Sequence, residues 1–323
     1  MTLIKLMRPH QWVKNGFVLT GLVFGHGWDV PEQVQAVLLA FIAFCLASSC
    51  VYVFNDLADA ERDRQHPTKR LRPIAAGAVS PRQALLLAGV LAAMALSIAW
   101  SANPPVAGYI AAYLVLNLIY THKLKRVVVL DIFCISAGFM LRILAGTDGV
   151  DIPPSNWLLF CGLWTTLFLG FIKRRAEMLA LNDTAGGHRR VLEHYSAGLL
   201  DQLISITCMG MIFSYSLYTM DVDVRRIHNT DQLIFTVPFV IYACFRYLYL
   251  LHREAGGGDP ADSSGTLSYV QVKYAGFRVN NTDELNGIAF QGTGSGTTAE
   301  LIRDPHILGA GLGWLIMTLW LVA

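Results

Sequence analysis

The sequence predicts an all-α integral membrane protein, a bundle of nine transmembrane helices with an active cavity at its cytoplasmic side. Three observations carry that prediction. Hydrophobic residues make up 54% of the chain and charged residues only 15%, where a soluble domain carries about 25% charge. Apolar stretches long enough to cross a bilayer recur along the chain. Lys and Arg gather on alternate connections between those stretches.

The first element, Met1 to Asn15, is amphipathic and basic through Lys5, Arg8 and Lys14, and is expected to lie in the membrane interface. No short apolar stretch with a small-residue cleavage site follows, so no removable signal peptide is expected. The spans then read as 16–28, 34–54, 83–101, 105–121, 128–146, 156–172, 199–220, 232–251 and 305–322. The first is short and interrupted by Gly and His. With the N-terminus placed in the cytoplasm, the inside connections collect nearly all Lys and Arg, including Arg62 to Arg82, Lys123 to Arg126 and Lys173 to Arg190. The outside loops hold only Arg225 and Arg226, while Arg142 and Arg246 fall within predicted helices. Outside loops such as Ser101 to Pro105 and Thr147 to Pro154 are turns without chemistry. All six cysteines lie in apolar stretches, none in a CxxC pair, so they read as small buried hydrophobes with neither disulfide nor zinc.

One segment breaks the pattern. From Gly256 the chain turns polar and rich in Gly, Ser, Thr and Asn, and Leu267 to Tyr274 alternates like a strand. It resembles one coil of a parallel β-helix, which cannot bury its apolar face alone. The expected organisation is a membrane domain over 1–255 with eight helices, a polar cytoplasmic insert over 256–304, and a last helix over 305–323. Excising about 262–299 would leave an ordinary short connection, so an inserted hairpin and a long polar loop are both compatible with this stretch.

The chemistry concentrates where the second span ends, in Asn55-Asp56-Leu57-Ala58-Asp59-Ala60-Glu61-Arg62-Asp63. Spacings of i, i+3 and i+7 put Asp56, Asp59 and Asp63 on one helix face. Crowded carboxylates repel one another unless a cation sits among them, and oxygen-only ligands suit Mg²⁺, which bridges substrate phosphates. Lys69, Arg70 and Arg72 follow, side chains suited to phosphate. Metal and cations together at a bilayer edge point to a phosphorylated lipid as substrate. A second candidate site is Tyr120-Thr121-His122-Lys123-Leu124-Lys125 with Asp131 on the next helix. Arg142, mid-helix, is a charge expected to face a cavity or a partner. Lys173-Arg174-Arg175-Ala176-Glu177 closes the sixth span and reads as a phosphate clamp, with Glu177 orienting a base or hydroxyl.

Asn-Asp-x-x-Asp-x-x-x-Asp after the second span resembles the first aspartate-rich motif of the UbiA prenyltransferase superfamily. Three further runs resemble its decaprenyl-phosphate phosphoribosyltransferase branch: Arg8-Pro9-His10-Gln11-Trp12-Val13-Lys14-Asn15, His66-Pro67-Thr68-Lys69-Arg70-Leu71-Arg72-Pro73-Ile74-Ala75, and Lys173-Arg174-Arg175-Ala176-Glu177. The resemblance covers about 1–255 and 300–323. It departs at the second motif, where aspartates four apart are usual and Asp131 is followed by Ile135.

The resemblance implies transfer of phosphoribose from phosphoribosyl pyrophosphate (PRPP) to a polyprenyl phosphate, with pyrophosphate released, in the supply of arabinose donors for the cell envelope. It implies Mg²⁺ and pyrophosphate at Asp56, Asp59 and Asp63, supported by Asn55. Phosphates would lie on Lys69, Arg70 and Arg72, with Lys14, Tyr120, Lys123, Lys125 and Asp131 around the pocket. Arg142 or Lys173, beside Arg174, would hold the lipid phosphate. The expected partners are these two substrates and the membrane, not nucleic acid; a homo-oligomer is compatible with the sequence. The competing readings are an aromatic prenyltransferase, which needs the complete second acid cluster, and a transporter, which expects charge through the midplane.

Overall fold

The computed structural model describes residues 2–25, 27–65, 69–182, 195–228 and 230–255, and every regular element among them is helical. Seven helices are long and apolar enough to cross a membrane: Pro31–Ala58, Pro81–Ala102, Pro104–His122, Leu130–Val150, Asn156–Met178, Ala197–Met220 and Gln232–Tyr249. They match seven of the expected spans; the last, 305–322, lies outside the described residues, as does the insert. The protein is therefore a multi-pass membrane protein. The chain divides into two compact units, one ending at Tyr218 and the other beginning at Thr219.

The first unit opens with α1 (Thr2–Met7), a 3-10 helix over Pro9–Leu19 and α2 (Thr20–Phe24). One expectation changes here. The segment 16–28 is not one long helix but 3-10 and α pieces broken at Gly25. The basic N-terminus exposes Leu3 and Ile4 on α1 and docks further along its length. Leu6, Asn15, Phe17 and Val18 are buried, and Trp12 Nε1 donates to Ser49 Oγ at 2.9 Å. Two glycines permit this docking: a Cβ on Gly146 would stand 1.7 Å from the Val18 carbonyl oxygen, and one on Gly21 would stand 1.9 Å from the Gly146 oxygen. Backbones that close admit no side chain between them, a packing device common in membranes.

Then come α3 (Pro31–Ala58), α4 (Ala60–Gln65), α5 (Pro81–Ala102), α6 (Pro104–His122), α7 (Leu130–Ala145), α8 (Asn156–Asn182) and α9 (Ala197–Met220). The starts of α3, α5 and α6 each carry Pro in the first turn, where its missing N–H costs nothing. Ser80 and Gln83 cap α5 reciprocally. Helix α3 is the central post: it packs on α5, α6 and the 3-10 helix, and its Val37, Ala40, Ala43, Phe44 and Ala47 join Ala95, Ala99, Val106, Ile110 and Tyr113 in one apolar core. Helix α7 packs between α6 and α8 and against the 3-10 helix. Leu85, Leu86, Ile206, Met209 and Phe213 are exposed, as a lipid-facing surface requires. In the second unit, α10 (Val222–His228) precedes a 3-10 turn and α11 (Val237–Ala255).

Candidate active site

The acidic motif straddles a helix break. Helix α3 stops at Ala58, Asp59 takes a non-helical conformation (φ −100°, ψ 4°), and α4 restarts at Ala60. The three carboxylates consequently do not share one partner. Asp56 and Asp63 are buried and meet on Arg72, whose Nη1 lies 3.1 Å from Asp56 Oδ1 and 2.7 Å from Asp63 Oδ2. Asp56 Oδ1 also accepts from Arg8 Nη2 at 2.6 Å. Asp59 instead pairs with Lys125 Nζ at 3.1 Å. Asn55 Oδ1 accepts from the Thr121 hydroxyl at 2.5 Å. Cations from the N-terminal segment, the Lys69 turn and the α6–α7 turn thus converge on the end of α3. The donor set is oxygen-only, which suits a hard divalent cation. As arranged, its negative charge is met by guanidinium and ammonium groups, and no cluster of three His, Cys, Asp or Glu poised for a metal ion occurs among the described residues.

Arg8 is the residue that sequence reasoning left out of this site. Its signal was present: a basic residue in the N-terminal motif, 48 positions from its acid. It adopts a left-handed conformation (φ 50°, ψ 60°) between α1 and the 3-10 helix, and its guanidinium also lies 5.3 Å from the Tyr52 ring centroid. Lys69, Arg70 and Lys123 are exposed, and Tyr120 is half-buried.

Asp131 is wholly buried at the start of α7. Its Oδ2 accepts from Arg174 Nε at 2.8 Å, and its Oδ1 from the Tyr195 hydroxyl at 3.0 Å. Arg174 Nη1 extends the chain to Glu177 Oε2 at 2.6 Å. Arg175, the third cation of this run, pairs with Asp201 of α9. Burial, followed by the Asp131 charge, raises the Tyr195 phenol, so it remains a hydrogen-bond donor. The same hydroxyl accepts from the Val129 N–H at 2.7 Å. Val129 has φ 67° and ψ −46°, and Leu130 N bonds Val128 O at 2.7 Å. This is a γ-turn of the rarer, positive-φ kind, here centred on a β-branched residue at a cost of about 1–3 kcal/mol.

Arg142 lies inside the bundle, 6% exposed. Its Nε donates to Asn15 Oδ1 at 2.8 Å, Nη1 to the Gly138 carbonyl at 2.8 Å and Nη2 to Tyr113 Oη at 3.0 Å. Its guanidinium carbon lies 4.6 Å from the Tyr113 ring centroid, 5.2 Å from that of Phe139 and 5.5 Å from that of Phe44. No acid pairs with it among the described residues. Aromatic faces and neutral oxygens carry the charge instead, and Asn15, held also by Ser48 at 3.2 Å, ties α7 to the 3-10 helix. Lys14, next along that helix, makes no hydrogen bond or ion pair among the described residues. Burial, and then the charges of Lys173, Arg142 and Arg8, pull its ammonium from the ordinary lysine range down to about 8. Lys173 itself is exposed within α8, nine residues before that helix ends at Asn182.

The family model of the UbiA prenyltransferase family matches residues 16–259. The chain belongs to that family. A second model, the Pectate-lyase like beta helix domain, matches 252–314, nearly all of it outside the described residues. Among UbiA relatives, the chain is 39% identical over 256 residues to the decaprenyl-phosphate phosphoribosyltransferase of Mycolicibacterium smegmatis, covering 75% of this chain and 80% of that protein. It is 36% identical over 264 residues to the enzyme of the same name from Mycobacterium tuberculosis, covering 80% and 86%. Among solved structures, a UbiA homologue from Archaeoglobus fulgidus bound to GPP and Mg²⁺ superposes with TM-score 0.61 at 16% identity, over 77% of this chain and 87% of that one. That likeness establishes the UbiA fold.

Proposed function

We propose that this UbiA protein transfers 5-phosphoribose from PRPP to a polyprenyl phosphate, with a decaprenyl chain the closest reading, as a step toward arabinose donors of the cell envelope. Relatives named decaprenyl-phosphate phosphoribosyltransferase, matched over most of their length, support the activity. The observation that carries the choice over aromatic prenyl transfer is the Asp131–Arg174 pair. The acid at the place of a second aspartate cluster lacks its companion, with Ile135 four residues on, and is paired with Arg174, leaving one carboxylate cluster for one diphosphate.

An oxygen of the lipid phosphate attacks the anomeric carbon of the ribose, the bond from that carbon to the pyrophosphate oxygen breaks, and pyrophosphate departs with the electron pair. The nucleophile is already anionic, so no general base is needed. Asp56, Asp59 and Asp63, with Asn55, are the residues that would hold Mg²⁺. When bound, that ion offsets charge growing on the leaving group. Arg8, Lys69, Arg70, Arg72, Lys123 and Lys125 supply the rest of the compensating charge. Lys14 and Lys173 are proposed to receive the lipid phosphate, with Arg142 and Tyr120 shaping the pocket and Arg174 and Glu177 bracing its far wall. Catalysis then rests on positioning and on preorganised charge.

The proposed topology has nine crossings, with N-terminus and site cytoplasmic, since Lys and Arg cluster on that side. Membranes containing the protein should convert labelled PRPP and polyprenyl phosphate into a labelled lipid, and should not join labelled prenyl diphosphate to an aromatic acid. The opposite pair of results removes this reading.

A further inference from the structure

Between Lys123 and Asp131 one residue, Val129, has an unfavourable backbone shape, and one hydroxyl group bonds to its N–H. The turn Lys123–Val127 closes through Arg126 N to Lys123 O at 3.4 Å and Val127 N to Leu124 O at 3.1 Å. The γ-turn at Val129 follows at once, and α7 starts from it through Asp131 N to Val127 O and Ile132 N to Val129 O, both 3.0 Å. Valine resists positive φ because its branched Cβ crowds the backbone. Something outside the turn must hold it there, and the Tyr195 hydroxyl does so at both ends, accepting from Val129 N–H and donating to Asp131. Asp131 is in turn fixed by Arg174. The Val129 bend sets where the preceding turn points, and that turn carries Lys125 to Asp59.

We infer that Tyr195 is a positioning residue for the pyrophosphate end of the site: its hydroxyl clamps the strained Val129 turn and so aims Lys125 at the acidic motif. Tyr195 and Asp131 act through the turn and touch no substrate. The inference rests on the phosphoribosyl transfer proposed above. It predicts a defect confined to the diphosphate substrate, because the lipid phosphate is received by cations on other elements.

The test is Tyr195→Phe, which removes the hydroxyl and keeps the ring, together with Tyr195→Phe/Val129→Gly. Glycine accepts positive φ without a clamp. Loss of one such bond should raise KM for PRPP about tenfold, with a smaller change in kcat and none in KM for polyprenyl phosphate. The double variant should recover most of that loss, a rescue that mere packing damage does not allow. Hydrogen exchange over 123–131 in the substrate-free protein should speed up in Tyr195→Phe. Unchanged exchange, a KM defect on the lipid instead of PRPP, or a double variant no better than the single one overturns the inference. A wild-type protein that does not use PRPP at all would sink the proposed function, and the exchange measurement would still judge the clamp.

Discussion

Arg8 Nη2 lies 2.6 Å from Asp56 Oδ1, so the N-terminal segment closes on the end of α3 through a buried acid. Arg8→Ala leaves Asp56 with Arg72 as its remaining partner. Removing one partner of a buried pair costs about 3–5 kcal/mol when nothing compensates; with Arg72 present, the lower end of that range is expected. The melting temperature should fall, and transfer should drop more than Arg8→Lys lowers it, because lysine keeps the charge and loses only the fork. Thermal unfolding in detergent beside the labelled-PRPP assay reads both effects.

Asp59 behaves differently. Its side chain is partly exposed and its Lys125 pair is of the kind worth about 0–1 kcal/mol. Asp59→Ala should leave folding and membrane insertion intact while abolishing transfer. Near-normal turnover in that variant would remove the assignment of this residue to the metal and the leaving group.

Lys14 should place an alkaline limit on activity. Its pKa stands near 8, lowered from the usual lysine value by burial and by Lys173, Arg142 and Arg8. A lowered lysine pKa means that charge is lost earlier as pH rises, so below about 8 the ammonium is present to bind phosphate and above it the site empties of that charge. KM for the lipid phosphate should climb between pH 8 and pH 10, counted as an order-of-magnitude window of about two units. Lys14→Arg should flatten that limb, since guanidinium keeps its proton. A profile identical in both proteins would release Lys14 from the role.

Gly146 and Val18 give a sharp structural test. A methyl group at Gly146 would overlap the Val18 carbonyl at 1.7 Å, with backbone on both sides. Gly146→Ala should therefore destabilise by about 3 kcal/mol or more, beyond the usual overpacking cost, because neither backbone can yield locally. Yield of folded protein in membranes and its melting temperature report the loss.

Asn15 is the fifth case. It receives the Arg142 Nε and donates to Ser48. Asn15→Ala strips one acceptor from a buried guanidinium, a loss of about 1–3 kcal/mol. Asn15→Asp should recover stability by giving that guanidinium a counter-charge, which a melting series would show.

The sequence by itself determined the membrane class, seven of the helices now seen and the family, because apolar length, Lys and Arg asymmetry and the order Asn55 to Asp63 are local properties of the chain. It also marked Lys125, Arg72 and Arg174 as cations of the site. Pairing was decided by the tertiary structure alone. Spacing along a helix put three aspartates on one face, but the break at Asp59 turned that residue to Lys125 and left Asp56 and Asp63 with Arg72. Arg8 meets Asp56 across 48 positions, in a segment whose later residues pack closely on the bundle at Gly21 and Gly146. Asp131 and Tyr195 lie 64 positions apart and meet through helix packing. Periodicity reports which face of a helix is apolar; which charge answers which depends on distances that exist only once the helices have packed.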